Sequence, residues 1–183
     1  MVKLLIADDD RVVLFTLAEG LREAGFEVIE ARDGRRALEL CIDTPPDLAL
    51  LDIRMPGLNG LELARRLRAE TMVPFLFLTA YDDEDMVREA VKLGALGYLV
   101  KPLDVPRLVP MVRMALARSR ELDGLREALD SNRQIGTAVG IAMRDWRLDQ
   151  RTAFERLRKH ARNRSARLAD VAREIVETGI CPE

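Results

Sequence analysis

Leu48-Ala49-Leu50-Leu51-Asp52-Ile53-Arg54-Met55-Pro56-Gly57-Leu58-Asn59-Gly60 is the stretch that decides the fold. An apolar run ends on a single carboxylate, and a Pro-Gly, Asn-Gly loop follows. A carboxylate at the C-terminal end of a buried strand is costly unless partners surround it. Other stretches offer those partners. Asp8 and Asp9 follow Leu4-Leu5-Ile6-Ala7, and Thr79 follows Phe75-Leu76-Phe77-Leu78. Lys101 follows Gly97-Tyr98-Leu99-Val100. In a parallel sheet, strand ends of this kind gather at one edge.

Outward from that stretch, strands and helices alternate. Strands are expected over residues 3–7, 27–31, 48–51, 75–78 and 97–100, and helices over 12–23, 34–42, 60–69 and 83–93. Val13, Leu14, Leu17, Ala18 and Leu21 form one helical stripe, while Gly25, Pro45-Pro46 and Gly94 act as stops. Five β/α units with short links argue an α/β flavodoxin-like fold. Its five-stranded parallel sheet has order 2-1-3-4-5 and helices on both faces.

From Asp104 onward the strand signal ceases. Leu122, Leu125 and Leu129 recur at 3 and 4 spacing, with Ala115 one repeat earlier. This pattern reads as a long helix with a coiled-coil-like seam. The alternative is packing against the chain's own helices. Further helices carry Ile135, Ala138, Val139, Ala142, Met143 and Trp146, then Ala153, Phe154, Leu157 and Ala161, then Leu168, Val171, Ala172, Ile175 and Val176. Asp149 and Ser165 are the expected N-caps of the second and third, and Gly179 and Pro182 stop the last. The expected domains are 1–118, a helical linker over 119–131, and a small all-α three-helix domain over 132–183.

Charge divides the chain in the same way. Residues 1–112 hold 14 Lys+Arg and 20 Asp+Glu, and residues 113–183 hold 15 and 11. An acidic half and a basic half suggest two functions on one chain. Cys41 and Cys181 lack metal-ligand spacing and read as free thiols of a reducing cytoplasm. Neither a signal peptide nor a membrane-spanning stretch is expected.

Asp8, Asp9 and Asp52 crowd three carboxylates together, which invites a hard divalent cation such as Mg²⁺. A carboxylate can itself be the nucleophile in phosphoryl transfer. Charge on the transferred group then needs cations and donors, which Lys101 and the Thr79 hydroxyl supply. Each residue alone has a plainer reading. Asp8, Asp9 and Asp10 could be an acidic helix start, Thr79 a cap and Lys101 a solvated charge. Their joint occurrence at four strand ends favours the functional reading.

Across residues 1–118 this arrangement resembles the receiver domain of two-component response regulators. The carrying motifs are Asp8-Asp9, Asp52 with Met55-Pro56-Gly57 and Asn59-Gly60, Thr79-Ala80, and Lys101-Pro102. The resemblance implies Asp52 as phosphoacceptor, served by a sensor histidine kinase, with Thr79 and Lys101 assisting. It implies a metal site of Asp8, Asp9, Asp52 and the Arg54 backbone carbonyl. Thr79 and Tyr98 become the switch pair, and the bond before Pro102 is expected to be cis. No enzymatic turnover is expected beyond accepting and losing the chain's own phosphoryl group.

Residues 144–167 carry Arg144, Arg147, Arg151, Arg156, Arg158, Lys159, Arg162, Arg164 and Arg167 against Asp145, Asp149 and Glu155. The excess of Arg is the footprint of a nucleic-acid binder rather than of a merely solvated face. The order from Asn132-Arg133-Gln134-Ile135-Gly136-Thr137 through Gly140-Ile141-Ala142-Met143 resembles an ANTAR domain. Ala153-Phe154, Leu157, Ala161 and Arg167-Leu168-Ala169-Asp170-Val171-Ala172 continue it, so the likeness covers about residues 122–180. It implies a module that binds paired RNA hairpins as a homodimer and acts in transcription antitermination. Ala142 departs from the larger apolar residue common at that place.

The RNA surface is assigned to Arg133, Thr137, Gly140, Arg144, Arg158, Lys159 and Arg162. Gly136 and Gly140 lie inside a helix, where each costs about 1 kcal/mol. Close helix packing or close approach of an RNA backbone would explain them. Trp146 and Phe154 read as core, and His160 as a surface residue. The alternative output is DNA binding or protein interaction. A weaker alternative is an Mg²⁺-dependent enzyme such as a phosphatase on the same fold.

Overall fold

The computed structural model describes residues 1–80 and 84–182. It divides into two compact units, Met1–Arg120 and Glu121–Glu183.

The first unit holds β1 (Lys3–Ala7), α1 (Arg11–Glu23), β2 (Glu27–Ala31), α2 (Gly34–Asp43), β3 (Leu48–Asp52), α3 (Gly60–Glu70), β4 (Phe75–Thr79), α4 (Glu84–Leu93) and β5 (Tyr98–Val100). The sheet order is β2-β1-β3-β4-β5, and every pairing is parallel. Every residue of β3 and β4 is buried. Alternate strand residues feed two cores. Leu5, Ala49, Leu51, Phe75 and Phe77 pack with side chains of α2, α3 and α4. Leu4, Ile6, Leu48, Leu50 and Leu76 pack with Leu14, Leu17, Leu21, Leu108 and Val112. The helices facing the site edge begin on short polar caps. Asp10, Asp33 and Asn59 each accept a backbone N–H of the first turn.

Asp52 and Thr79 are the last rungs of their strands, each one residue beyond the expected strand end. Asp52 pairs with Leu78, and Thr79 pairs with Val100. The expected start of α4 at Asp83 lies outside the described residues.

One element runs from Val105 to Trp146 as α5, where a linker and a separate helix are expected from the sequence. Between Asp130 and Ile135 there is no proline or capping turn to stop it. Gly136 and Gly140 weaken a helix without ending one. The first of the three expected C-terminal helices is therefore the last stretch of α5. In the second unit this stretch packs with α6 (Gln150–Asn163) and α7 (Leu168–Thr178) around Ala138, Ala142, Ala153, Leu157, Val171 and Ile175.

Asp149 caps α6 through Thr152 N–H, as expected. Ser165 does not cap α7. It sits at φ 53° and closes α6, with its N–H on Arg162 O and that of Ala166 on Ala161 O. Arg167 takes the N-cap position instead, without a side-chain cap bond.

Candidate functional site

The sheet order brings the expected strand ends together. Asp8 follows β1 and is fully buried, and Asp52 ends β3 at 4% exposure. Lys101 follows the edge strand β5, tied by its N–H to Thr79 O at 2.7 Å. The bond from Lys101 to Pro102 is cis. The Lys101 Nζ lies 2.6 Å from Asp8 Oδ2 and 2.9 Å from Asp52 Oδ1. Asp8 Oδ1 accepts the Asp10 N–H at 3.0 Å, so the carboxylate is held from both ends. Asp9 is exposed, yet Asp8, Asp9 and Asp52 each offer an oxygen within 4.8 Å of the others.

These groups balance one another. Burial pushes the Asp52 carboxyl above its usual range, Lys101 pulls it back, and Asp8 and Asp9 push it up further. Burial pulls Lys101 down, but its bonds to Asp8 and Asp52 prevail and its pKa rises. An ammonium whose charged form is favoured thus stands between two buried carboxylates. The cluster joins a carboxylate of the kind that can act as a nucleophile, a fixed cation and a set of hard oxygen donors that fits Mg²⁺.

Gly60 shapes the edge. A Cβ there would collide with the Asp52 carbonyl oxygen, so only glycine lets α3 start against the end of β3. Thr79 is buried at the end of β4. Tyr98 opposes Phe77, two rungs from Thr79, and is 38% exposed. Arg54 lies exposed in the loop after β3. The sequence brings Lys101 and Asp8 to one edge, and the structure adds that the ammonium bonds Asp8 as well as Asp52.

In the second unit, Arg133, Thr137, Gly140 and Arg144 share one exposed face of α5, and Arg158, Lys159 and Arg162 lie exposed on α6. Thr137 Oγ1 donates to Arg133 O at 3.1 Å, as a helical threonine does. Arg144 is engaged within the chain: its Nε meets Asp145 at 2.7 Å and its Nη2 meets Gly179 O at 3.0 Å. It ties α5 to the end of α7. Arg164 pairs bidentately with Glu174, and Arg167 with Asp170.

A Cβ at Gly136 or Gly140 would meet nothing within 4 Å, so close packing within this chain does not explain either glycine. Trp146 and Phe154 pack against the core, half-buried, and Arg156 stacks over Trp146 at 4.2 Å. His160 is not the expected surface residue. It is half-buried, and its Nε2 is enclosed without a partner among the described residues. Cys41 is buried and its thiol is pushed up to about 12 by that burial, which makes it inert.

Comparison with known proteins agrees with both units. Residues 4–113 match the response regulator receiver domain, and residues 123–176 match the ANTAR domain. The transcriptional regulatory protein PdtaR of Mycobacterium tuberculosis is 33% identical over 184 residues, covering 96% of this chain and 90% of its own length. Chemotaxis protein CheY4 of Vibrio cholerae superposes with a TM-score of 0.60 at 30% identity, covering 63% of this chain and 98% of its own. The receiver domain of the Francisella response regulator 1452 gives 0.62 at 31% identity, over 65% and 99%.

Proposed function

The chain belongs to the two-component response regulators, with a receiver domain ahead of an RNA-binding ANTAR output, and on that premise we propose that phosphorylation of Asp52 by a histidine kinase controls transcription antitermination. The observation that carries the reading is Lys101 Nζ bridging Asp8 and Asp52 at 2.6 and 2.9 Å.

In the transfer step, an Asp52 carboxylate oxygen attacks the phosphorus of a phosphohistidine. The new O–P bond forms as the P–N bond breaks, and the departing imidazole takes up a proton. Lys101 faces one phosphoryl oxygen, and the Thr79 hydroxyl donates to another. Asp8, Asp9, Asp52 and the Arg54 carbonyl would hold Mg²⁺, whose charge offsets that of the transferred group. The same groups serve hydrolysis of the acyl phosphate, so the chemistry goes no further than gain and loss of the chain's own phosphoryl group. Thr79 and Tyr98 relay the change, Thr79 by following the phosphoryl oxygen and Tyr98 by changing its exposure.

The output is a homodimer that captures paired RNA hairpins and so keeps a terminator from forming. Leu125 and Leu129, 56% and 69% exposed on α5, supply the apolar seam for a second copy. Arg133, Thr137, Gly140, Arg144, Arg158, Lys159 and Arg162 meet the RNA, and Arg144 is steadied there by its bonds to Asp145 and Gly179 O. The reading places the protein in the cytoplasm. Among the described residues, no helix is long and apolar enough to cross a membrane.

Acetyl phosphate tests the acceptor. Wild type with Mg²⁺ should gain one phosphoryl group by mass spectrometry, and Asp52→Asn should gain none. Equal labelling of the variant would remove Asp52 from its role.

A further inference from the structure

We propose that a groove between α5 and the N-terminal turn of α6 receives one unpaired base from the loop of an RNA hairpin. The inference rests on the RNA-binding reading and adds the place where sequence is read.

The groove is open to solvent and has a volume of about 630 Å³, within the range of small-ligand sites. Ile135, Val139 and Phe154 supply an apolar lining, and the amides of Asn132 and Gln150 stand among them. Phe154 is only half-buried and so can present part of its ring to a ligand. A base stacks well on an aromatic face, and its edge needs groups that both donate and accept. Side-chain amides do both. Among the described residues, neither amide has a side-chain hydrogen bond of its own. Gly136 lines the same groove with open space where a Cβ would stand, so a flat ring can approach the helix backbone.

At the Asp149 end of the groove, charge favours a neutral ring over a phosphate. Asp149 lies in the groove, and its carboxylate accepts Thr152 N–H at 3.0 Å and Thr152 Oγ1 at 2.6 Å. Those bonds hold its pKa below the ordinary carboxylate value, so it stays ionised and repels a phosphodiester. The cations lie alongside. Arg151 lines the groove and begins a row on α6 that continues through Arg158 and Arg162, seven and eleven residues on and all exposed. A neutral ring in the groove with its backbone along that row satisfies both features. Phosphate contacts would position the RNA, and the groove would specify it.

The test uses the full chain with Mg²⁺ and beryllofluoride, and hairpin RNAs with a randomised loop. Sequencing the bound fraction should show one loop position enriched for one base. Replacing that base by an abasic site should weaken wild-type binding about tenfold. Gln150→Ala and Asn132→Ala, both at exposed positions, should lose the preference for the enriched base over the other three while still binding it more tightly than the abasic loop. Arg158→Ala with Lys159→Ala and Arg162→Ala should weaken both loops by the same factor and keep the discrimination between them. If Gln150→Ala and Asn132→Ala discriminate as well as wild type, or if wild type binds hairpins without base preference, the groove is not the reader and the RNA-binding reading stands. If wild type binds no hairpin, both fail together.

Discussion

The two units hold their charges in opposite ways. In the first, Asp8 is fully buried and Asp52 nearly so, and one ammonium serves both. In the second, the cations of α6 stand in solvent, as with Arg158, whose side chain is 53% exposed beside Glu155. A buried cluster of two carboxylates on one cation is cooperative, because removing the cation strands both carboxylates in a low-dielectric site. Exposed charges act as a sum in which each contributes little. The difference suits the proposed roles: a chemical step that is present or absent, and a grip on RNA that is graded.

Breaking the buried bridge gives the largest effect. Lys101→Met leaves two carboxylates without their cation, which should destabilise the receiver unit by about 3 kcal/mol. Acetyl-phosphate labelling should slow by roughly 100-fold. Thermal unfolding and a labelling time course read the two, and Mg²⁺ should restore part of the lost stability. Wild-type stability in this variant would show that the bridge does not hold the carboxylates.

A glycine pair sharpens the contrast next. Gly60→Ala forces a Cβ into the Asp52 carbonyl and should cost about 2 kcal/mol or more. Gly136→Ala meets open space and should stabilise the helical unit by about 1 kcal/mol. Denaturant titration measures both. Effects of the same sign would mean that the two helix surfaces are not so different.

The smallest effect is a pH dependence. Burial holds the Asp52 carboxyl above its usual value, so the fold disfavours the ionised form. The stability linked to that group is present below the ordinary carboxylate range and is lost as pH rises through the folded value. Asp52→Asn should therefore raise the unfolding midpoint at neutral pH, by within about 1 kcal/mol. The advantage should shrink as pH falls into the acid range. An advantage that instead grows on acidification would reverse the assigned direction.

How much of this was legible in the sequence follows the same division. The receiver was readable because each short apolar run ends on a polar residue, and parallel topology carries those ends to one edge. Asp52 and Thr79 proved to be the last rungs of their ladders rather than the first loop residues, a difference that hydrophobicity alone does not resolve. The C-terminal unit was readable as helices and net charge. The continuity of α5, the role of Ser165 in ending α6 and the use of Arg144 within the chain were not. Each depends on backbone hydrogen bonds or distant partners, such as Gly179 for Arg144, that residue spacing does not encode. The groove beside Gly136 was equally hidden, since it is made jointly by two helices and residue spacing within either one does not encode it.

The most direct measurement of the central claim is fluorescence anisotropy of the full chain with hairpin RNA and with matched duplex DNA. Each is run in Mg²⁺ with and without beryllofluoride as the phosphoryl mimic. The account expects RNA to be preferred and its binding to tighten only with the mimic. Preference for DNA, or RNA binding indifferent to the mimic, would contradict a phosphorylation-controlled RNA-binding output.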